Sequence, residues 1–122
     1  MTAALHIKRV YEPPAKDDGT RILVDRIWPR GLSKQRAAVD EWIKEIAPTT
    51  ALRSWFGHDP QRWPEFRDRY FKELRSNTEL VAHLVSLIAD EPATLLFAAH
   101  ETQRNNAAAL AEYIKSLKPK HA

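Results

Sequence analysis

Two short apolar runs, Ile22-Leu23-Val24 and the TLLFAA stretch at 94–99, constrain this chain more than any other feature. Neither run alternates with polar residues. Uninterrupted apolar runs of this length mark strands covered on both faces, the habit of parallel sheets under helices. Both runs stop abruptly, the first at Asp25 and Arg26, the second at His100 and Glu101. Helical patterns lie between them, so the two strands are expected as parallel neighbours joined by a crossover. Ligands of open α/β sheets sit beyond the carboxyl ends of such strands. The two strand ends are therefore where a site is expected.

The remaining segments fit around that pair. Residues 5–11 read as an edge strand, with Leu5 and Ile7 alternating with His6 and Lys8. The loop EPPAKDDGT follows. It is too short for a helical crossover and favours a hairpin, although at about 3.3 Å per residue it also reaches far enough for a parallel pair. After Gly31, Ser33 is a good N-cap for a helix over 34–47. In that stretch Val39, Trp42, Ile43 and Ile46 fall on one helical face. Thr49 or Thr50 caps a short helix at 51–56, which Gly57 ends in a left-handed turn.

Asp59-Pro60 opens a longer helix that buries Trp63, Phe66, Tyr70 and Leu74. Another helix covers 79–89, with Leu80, Leu84, Leu87 and Ile88 inward. The last follows Asn105, with Ala107, Leu110, Ile114 and Leu117 inward, and residues 118–122 read as a frayed cationic tail. The expected fold is α/β: a single small three-layer domain over 1–122, with a minimal, mostly parallel sheet and about five helices.

Several classes of function drop out. The chain has no cysteine, hence no disulfide, thiolate nucleophile or Cys-based zinc site. It has no apolar run of the roughly 18 residues a membrane span needs. Its start, MTAALHIKRV, lacks the apolar core of a signal peptide. A cytoplasmic location without membrane attachment is expected. The five histidines show no HxxxH or HExxH spacing, so no metal site is expected, and no cofactor motif is present. Net charge is +3, with 11 Arg against 8 Lys. That excess favours anions, since guanidinium grips carboxylate or phosphate bidentately.

The candidate ligand-binding residues lie on the strand-end loops. Arg26 and Arg30 supply guanidiniums. Gly31 allows a close backbone approach, and Ser33 opens a helix whose N–H groups add donors. Arg104, Asn105 and Asn106 would stand beside them, and His58 can reach the same place from its loop. Asp25 and His100 are the candidate acid–base pair if catalysis occurs. Bland roles compete: Asp25 and Arg26 as an ion pair, Asn105 or Asn106 as a helix cap. A rival class is nucleic-acid binding through the helix carrying Arg62, Arg67, Arg69, Lys72 and Arg75. However, Glu65, Asp68 and Glu73 are interleaved there, as on an ordinary solvated face. A third class is a module whose exposed aromatics meet a partner protein. Nothing in the sequence indicates an oligomeric state.

The strings IKRVYEPP, DDGTRILVDRIWPRGLSK, LRSWFGHDPQRWPEF and the NNA opening the last helix resemble the YeaO-like branch of the DUF488 (domain of unknown function 488) family. The resemblance runs from about Ile7 to Leu117. It implies a compact bacterial-type α/β domain and favours a parallel first strand over a hairpin. It implies no reaction. Longer members carry cysteines near the last strand and before the final helix, where this chain reads LLFAAH and RNNAA, so any chemistry of those cysteines does not transfer. The expectation is a protein that binds a small anionic ligand, phosphate- or nucleotide-like, at the carboxyl ends of its central strands. The alternative is a nucleic-acid-associated or regulatory protein using its Arg-rich helix.

Overall fold

The computed structural model describes residues 5–89 and 91–117. The tail at 118–122 lies outside the described residues. The sheet has four strands: β1 (Leu5–Arg9), β2 (Thr20–Leu23), β3 (Glu41–Trp42) and β4 (Ala93–Phe97), in the order β1-β4-β2-β3. Every pairing is parallel. The two apolar runs thus lie side by side at the centre, with Ile22 opposite Leu95, and every residue of β4 is buried. β1 takes an edge and runs parallel, not as a hairpin.

Among the described residues five helices surround the sheet: α1 (Lys34–Ala37), α2 (Thr50–Phe56), α3 (Trp63–Arg75), α4 (Thr78–Ile88) and α5 (Asn106–Ser116). Ile22, Val24, Leu95 and Phe97 point into the main core with Phe56, Phe66, Tyr70, Leu84, Leu110 and Ile114. Leu23 and Leu96 point the other way, onto Val10, Ala37, Trp28 and Leu32. That second covering consists of the single turn of α1 and loops, so the third layer is thin.

The helix ends follow local chemistry. Thr49 caps α2 by accepting from the Leu52 N–H at 3.3 Å, and Gly57 closes it at φ 53. Asp59 accepts the Gln61 N–H at 3.0 Å and starts a 3-10 turn, Pro60–Arg62, that leads into α3. Asn105 is the cap of α5, its Oδ1 accepting the Ala108 N–H at 2.8 Å.

The helix expected over 34–47 does not form. It stops after one turn because Ala38 turns left-handed, φ 50, and its N–H bonds back to the Lys34 carbonyl. The chain then serves the open side of β2. Asp40 Oδ2 accepts the Arg21 N–H at 2.8 Å, the Asp40 N–H donates to the Arg21 carbonyl at 2.8 Å, and Glu41–Trp42 continues as β3. Those backbone groups of β2 would otherwise have no partner, and satisfying them outweighs a helical pattern of four apolar residues. Ile43 and Ile46 stay buried, whereas Trp42 is partly exposed. Leu117, expected inward, is also exposed and lies beyond the end of α5.

At the amino end of the sheet Gly19 has φ 66 and ψ −141. A Cβ there would stand 2.0 Å from the Pro92 carbonyl oxygen, which instead accepts the Thr20 N–H at 3.0 Å. Only glycine allows this approach. Next to it Asp18 and Arg21 form a buried ion pair at 2.5 Å. Lys8 adds a second cation at 3.1 Å, and the Ala15 N–H donates to Asp18 at 2.9 Å. Arg21 also donates to the Ala37 and Ala38 carbonyls, at 2.8 and 3.0 Å, fastening the thin layer to the sheet.

Candidate functional site

A cleft of about 630 Å³ opens at the carboxyl end of the sheet. Its floor is made by the residues that leave the strands: Tyr11 after β1, Asp25 and Arg26 after β2, Ala98 and Ala99 after β4. Residues 27–30 form one wall. Thr50, Arg53, Ser54 and Phe56 of α2 form another, and residues 104–106 at the start of α5 a third. A second, shallower hollow of about 570 Å³ lies behind Arg26, toward Tyr70, Lys72 and Glu73.

Asp25 is the most constrained group of the cleft. Its Oδ2 accepts the Ala98 N–H at 2.8 Å and its Oδ1 accepts Asn106 Nδ2 at 2.9 Å. The same Asn106 amide donates to the Val24 carbonyl at 3.0 Å. One carboxylate therefore ties β2, β4 and α5 together. Burial pushes its pKa above the usual carboxylate range, against the opposing pull of the two hydrogen bonds and the charge of Arg53.

The other expected residues divide. Arg26, Arg30, His58, Arg104 and Asn105 line the cleft with Asp25; Gly31, Ser33 and His100 do not. Arg26 is partly committed to the fold: its Nη2 donates to the Ala47 carbonyl at 3.1 Å and more weakly to that of Pro48. Arg30 anchors its loop through its carbonyl, which accepts Tyr11 Oη at 2.9 Å, and leaves its guanidinium exposed. Gly31 has φ 77 with open space around it, so no close approach requires it there.

Ser33 accepts the Arg36 N–H at 3.1 Å and caps α1, a single turn whose dipole is negligible. Asn105 is buried, and beyond capping α5 it donates to the Glu101 carbonyl at 2.9 Å. Arg104 pairs with Glu101 at 3.4 Å. The backbone N–H groups of Gln103 and Arg104 hold that carboxyl below its usual range. His100 is exposed on the same loop, outside the cleft wall, so Asp25 and His100 do not face each other in it. His58 lines the cleft from a left-handed turn, φ 58, its ring 6.2 Å from that of Phe56.

Arg53 belongs with this group, and Tyr11, Thr50 and Ser54 complete it. Among the described residues the guanidiniums of Arg30 and Arg53 have no hydrogen bond or ion pair. Tyr11 carried no local signal. It reaches the cleft only because β1 pairs with β4, and Arg9 holds the strand end there by donating to the Ala98 and Ala99 carbonyls at 3.2 and 2.9 Å.

Among the described residues no group of three or more histidines, cysteines or carboxylates is placed to hold a metal ion. No described helix is long and apolar enough to cross a membrane.

Comparison with known proteins places the chain. It is 42% identical over 113 residues to the Uncharacterized protein YeaO of Escherichia coli K12, covering 93% of this chain and 98% of that one. It is 41% identical over 110 residues to Rv3073c of Mycobacterium tuberculosis H37Rv and to Mb3100c of Mycobacterium bovis, covering 90% of this chain and 92% of each. No solved structure matches it. A family model described as the inactive DUF488-N3 subclade matches residues 4–121. With a match over nearly its whole length, the chain belongs to that subclade of the DUF488 family.

Proposed function

We propose that this protein binds a small phosphate-bearing anion in the cleft at the carboxyl ends of β2 and β4, without performing chemistry on it. One observation carries the reading. Arg30 and Arg53 both line the cleft, and among the described residues neither guanidinium has a protein partner. Guanidiniums held at a concave surface with no hydrogen bond or ion pair of their own suit bidentate capture of a phosphate. Binding rather than catalysis is supported by the position of His100 outside the cleft, by the two protein donors that pin Asp25, and by the family description as inactive.

Three of the five cations of that basic stretch favour this reading over nucleic-acid binding, because Arg62, Arg67 and Arg69 are engaged within the protein, whereas among the described residues Lys72 and Arg75 have no side-chain ion pair. Arg67 pairs with Glu112 and Arg69 with Glu65, and Arg69 also lies 4.3 Å over the Trp55 ring. Arg62 pairs with Asp59 at 3.6 Å.

The test is calorimetric titration and thermal shift with inorganic phosphate, pyrophosphate and nucleoside monophosphates, with a DNA duplex as competitor class. A ligand at a hundredfold excess over its Kd adds about 2.7 kcal/mol of stability. Binding of an anion that disappears in a folded Arg30→Ala/Arg53→Ala double variant is the expected result. Unchanged affinity in that variant, or binding of the duplex alone with a steep salt dependence, overturns the proposal.

A further inference from the structure

A carboxylate in the wall of an anion site is a paradox that bears on the ligand. Asp25 lies in the same cleft as Arg30 and Arg53, where its negative charge repels any bare anion they attract. Two neutral acceptors would hold the Ala98 and Asn106 donors without that repulsion. The contrast with Asp18 is informative. Asp18 is enclosed by two cations, Lys8 and Arg21, and the Ala15 N–H, which place three donors on its Oδ2 and one on its Oδ1.

Asp25 has one protein donor on each oxygen, at 2.8 and 2.9 Å, and among the described residues no ion pair. An ionised carboxyl offers about four lone-pair sites. Each Asp25 oxygen therefore keeps one acceptor site, on a cleft-lining group that three elements fix in place. A fixed pair of adjacent acceptors matches two adjacent donors. Phe56 and Trp28 line the same cleft and supply apolar wall for a ring.

This argument deepens the anion-site reading and rests on it. We propose that Asp25 is the ligand-reading residue of the cleft, and that the ligand is a phosphate monoester whose uncharged part presents two neighbouring O–H or N–H donors to it. Two common groups have that chemistry: the vicinal diol of a ribose, and the amide–amine edge of a guanine.

Calorimetric titration of the wild-type protein with four probes separates them. AMP carries the diol without the guanine edge, dGMP the edge without the diol, dTMP neither, and inorganic phosphate only the anion. Binding of AMP or dGMP about tenfold or more tighter than dTMP and phosphate is expected, as for hydrogen bonds to a charged acceptor. Preference for AMP identifies the diol, preference for dGMP the base edge. Asp25→Asn, checked for folding by circular dichroism, should erase the preference while leaving phosphate affinity equal or higher.

Equal affinity for all four probes overturns this inference and leaves the anion site standing. No binding of any probe, pyrophosphate included, overturns both. The wild-type comparison decides the matter even if the variant does not fold.

Discussion

Asp18 and Asp25 are two carboxylates withdrawn from solvent on one small sheet, and their surroundings treat them in opposite ways. At the amino end, burial raises the pKa of Asp18, but the Ala15 N–H, Lys8 and Arg21 together outweigh it and hold the group below its usual range. At the carboxyl end, burial of Asp25 wins over Asn106, Ala98 and the charge of Arg53, and the group sits above its usual range. The first cluster is closed and fully paired, as befits a joint. The second keeps acceptor capacity and faces a cleft. Within this fold, how completely a buried charge is paired separates the scaffold from the site.

The largest effect should come from breaking the closed cluster. Asp18→Ala leaves Arg21 buried without its counter-charge and should cost about 3–5 kcal/mol in urea denaturation. A loss below about 1 kcal/mol would mean that Arg21 is sustained by the Ala37 and Ala38 carbonyls alone. Gly19→Ala, one residue away, forces a side chain onto the Pro92 carbonyl at positive φ. It should cost roughly 3 kcal/mol by the same assay.

At the open end the effects shrink. Asn106→Ala removes the donor shared by Val24 and Asp25 and should cost about 1–3 kcal/mol. It should also raise the Asp25 pKa further, as read by NMR titration of the carboxyl carbon. Asp25→Asn turns an amide NH2 toward the Ala98 or the Asn106 donor, so at neutral pH it should cost up to about 3 kcal/mol, with relief of the buried charge offsetting part of that loss.

The two aspartates should also differ in sign with pH. The Asp18 pKa falls on folding, so its contribution is present above about 4 and is lost as pH drops through the lowered value. The Asp25 pKa rises on folding. Its contribution is whole below about 4 and is lost as pH climbs through the raised value. Urea melts across this range should therefore show Asp25→Asn gaining on the wild type as pH rises, and Asp18→Asn falling behind. Parallel profiles would erase the distinction between the two ends.

Much of this architecture was legible in the residues because it rests on local rules. The apolar runs at Ile22 and Leu95 announce central strands, and Thr49, Gly57, Asp59 and Asn105 punctuate the helices where short-range hydrogen bonds require it. The short α1 and β3 were not legible. The reason is a long-range one: the unpaired backbone of β2 claims Asp40 and Ile43, and no pattern within 34–47 registers that demand.

The site follows the same division. Asp25, Arg26, Arg30, His58, Arg104 and Asn105 do meet in one cleft, since they leave adjacent strand ends or flank them. Gly31 is expected with them for a close backbone approach, and Ser33 as the cap of a long helix beginning at residue 34. The helix is a single turn, and neither residue lines the cleft. Tyr11 joins only through the pairing of β1 with β4.

That pairing has a consequence for the making of the protein. β4 is the strand on which both β1 and β2 pair, Leu5 against Ala93 and Thr20 against Ala93 on its other side. During synthesis the first two strands emerge long before it. Until residues 93–97 leave the ribosome, β1 and β2 have no central strand to bind, and Ile22, Leu23 and Val24 have only the two-residue β3 beside them. The helices α2 to α4 can form early, from local contacts, but the sheet and the cleft can close only in the last part of translation. A nascent chain halted before β4 should bind chaperones and yield to protease, whereas one extended past α5 should resist both.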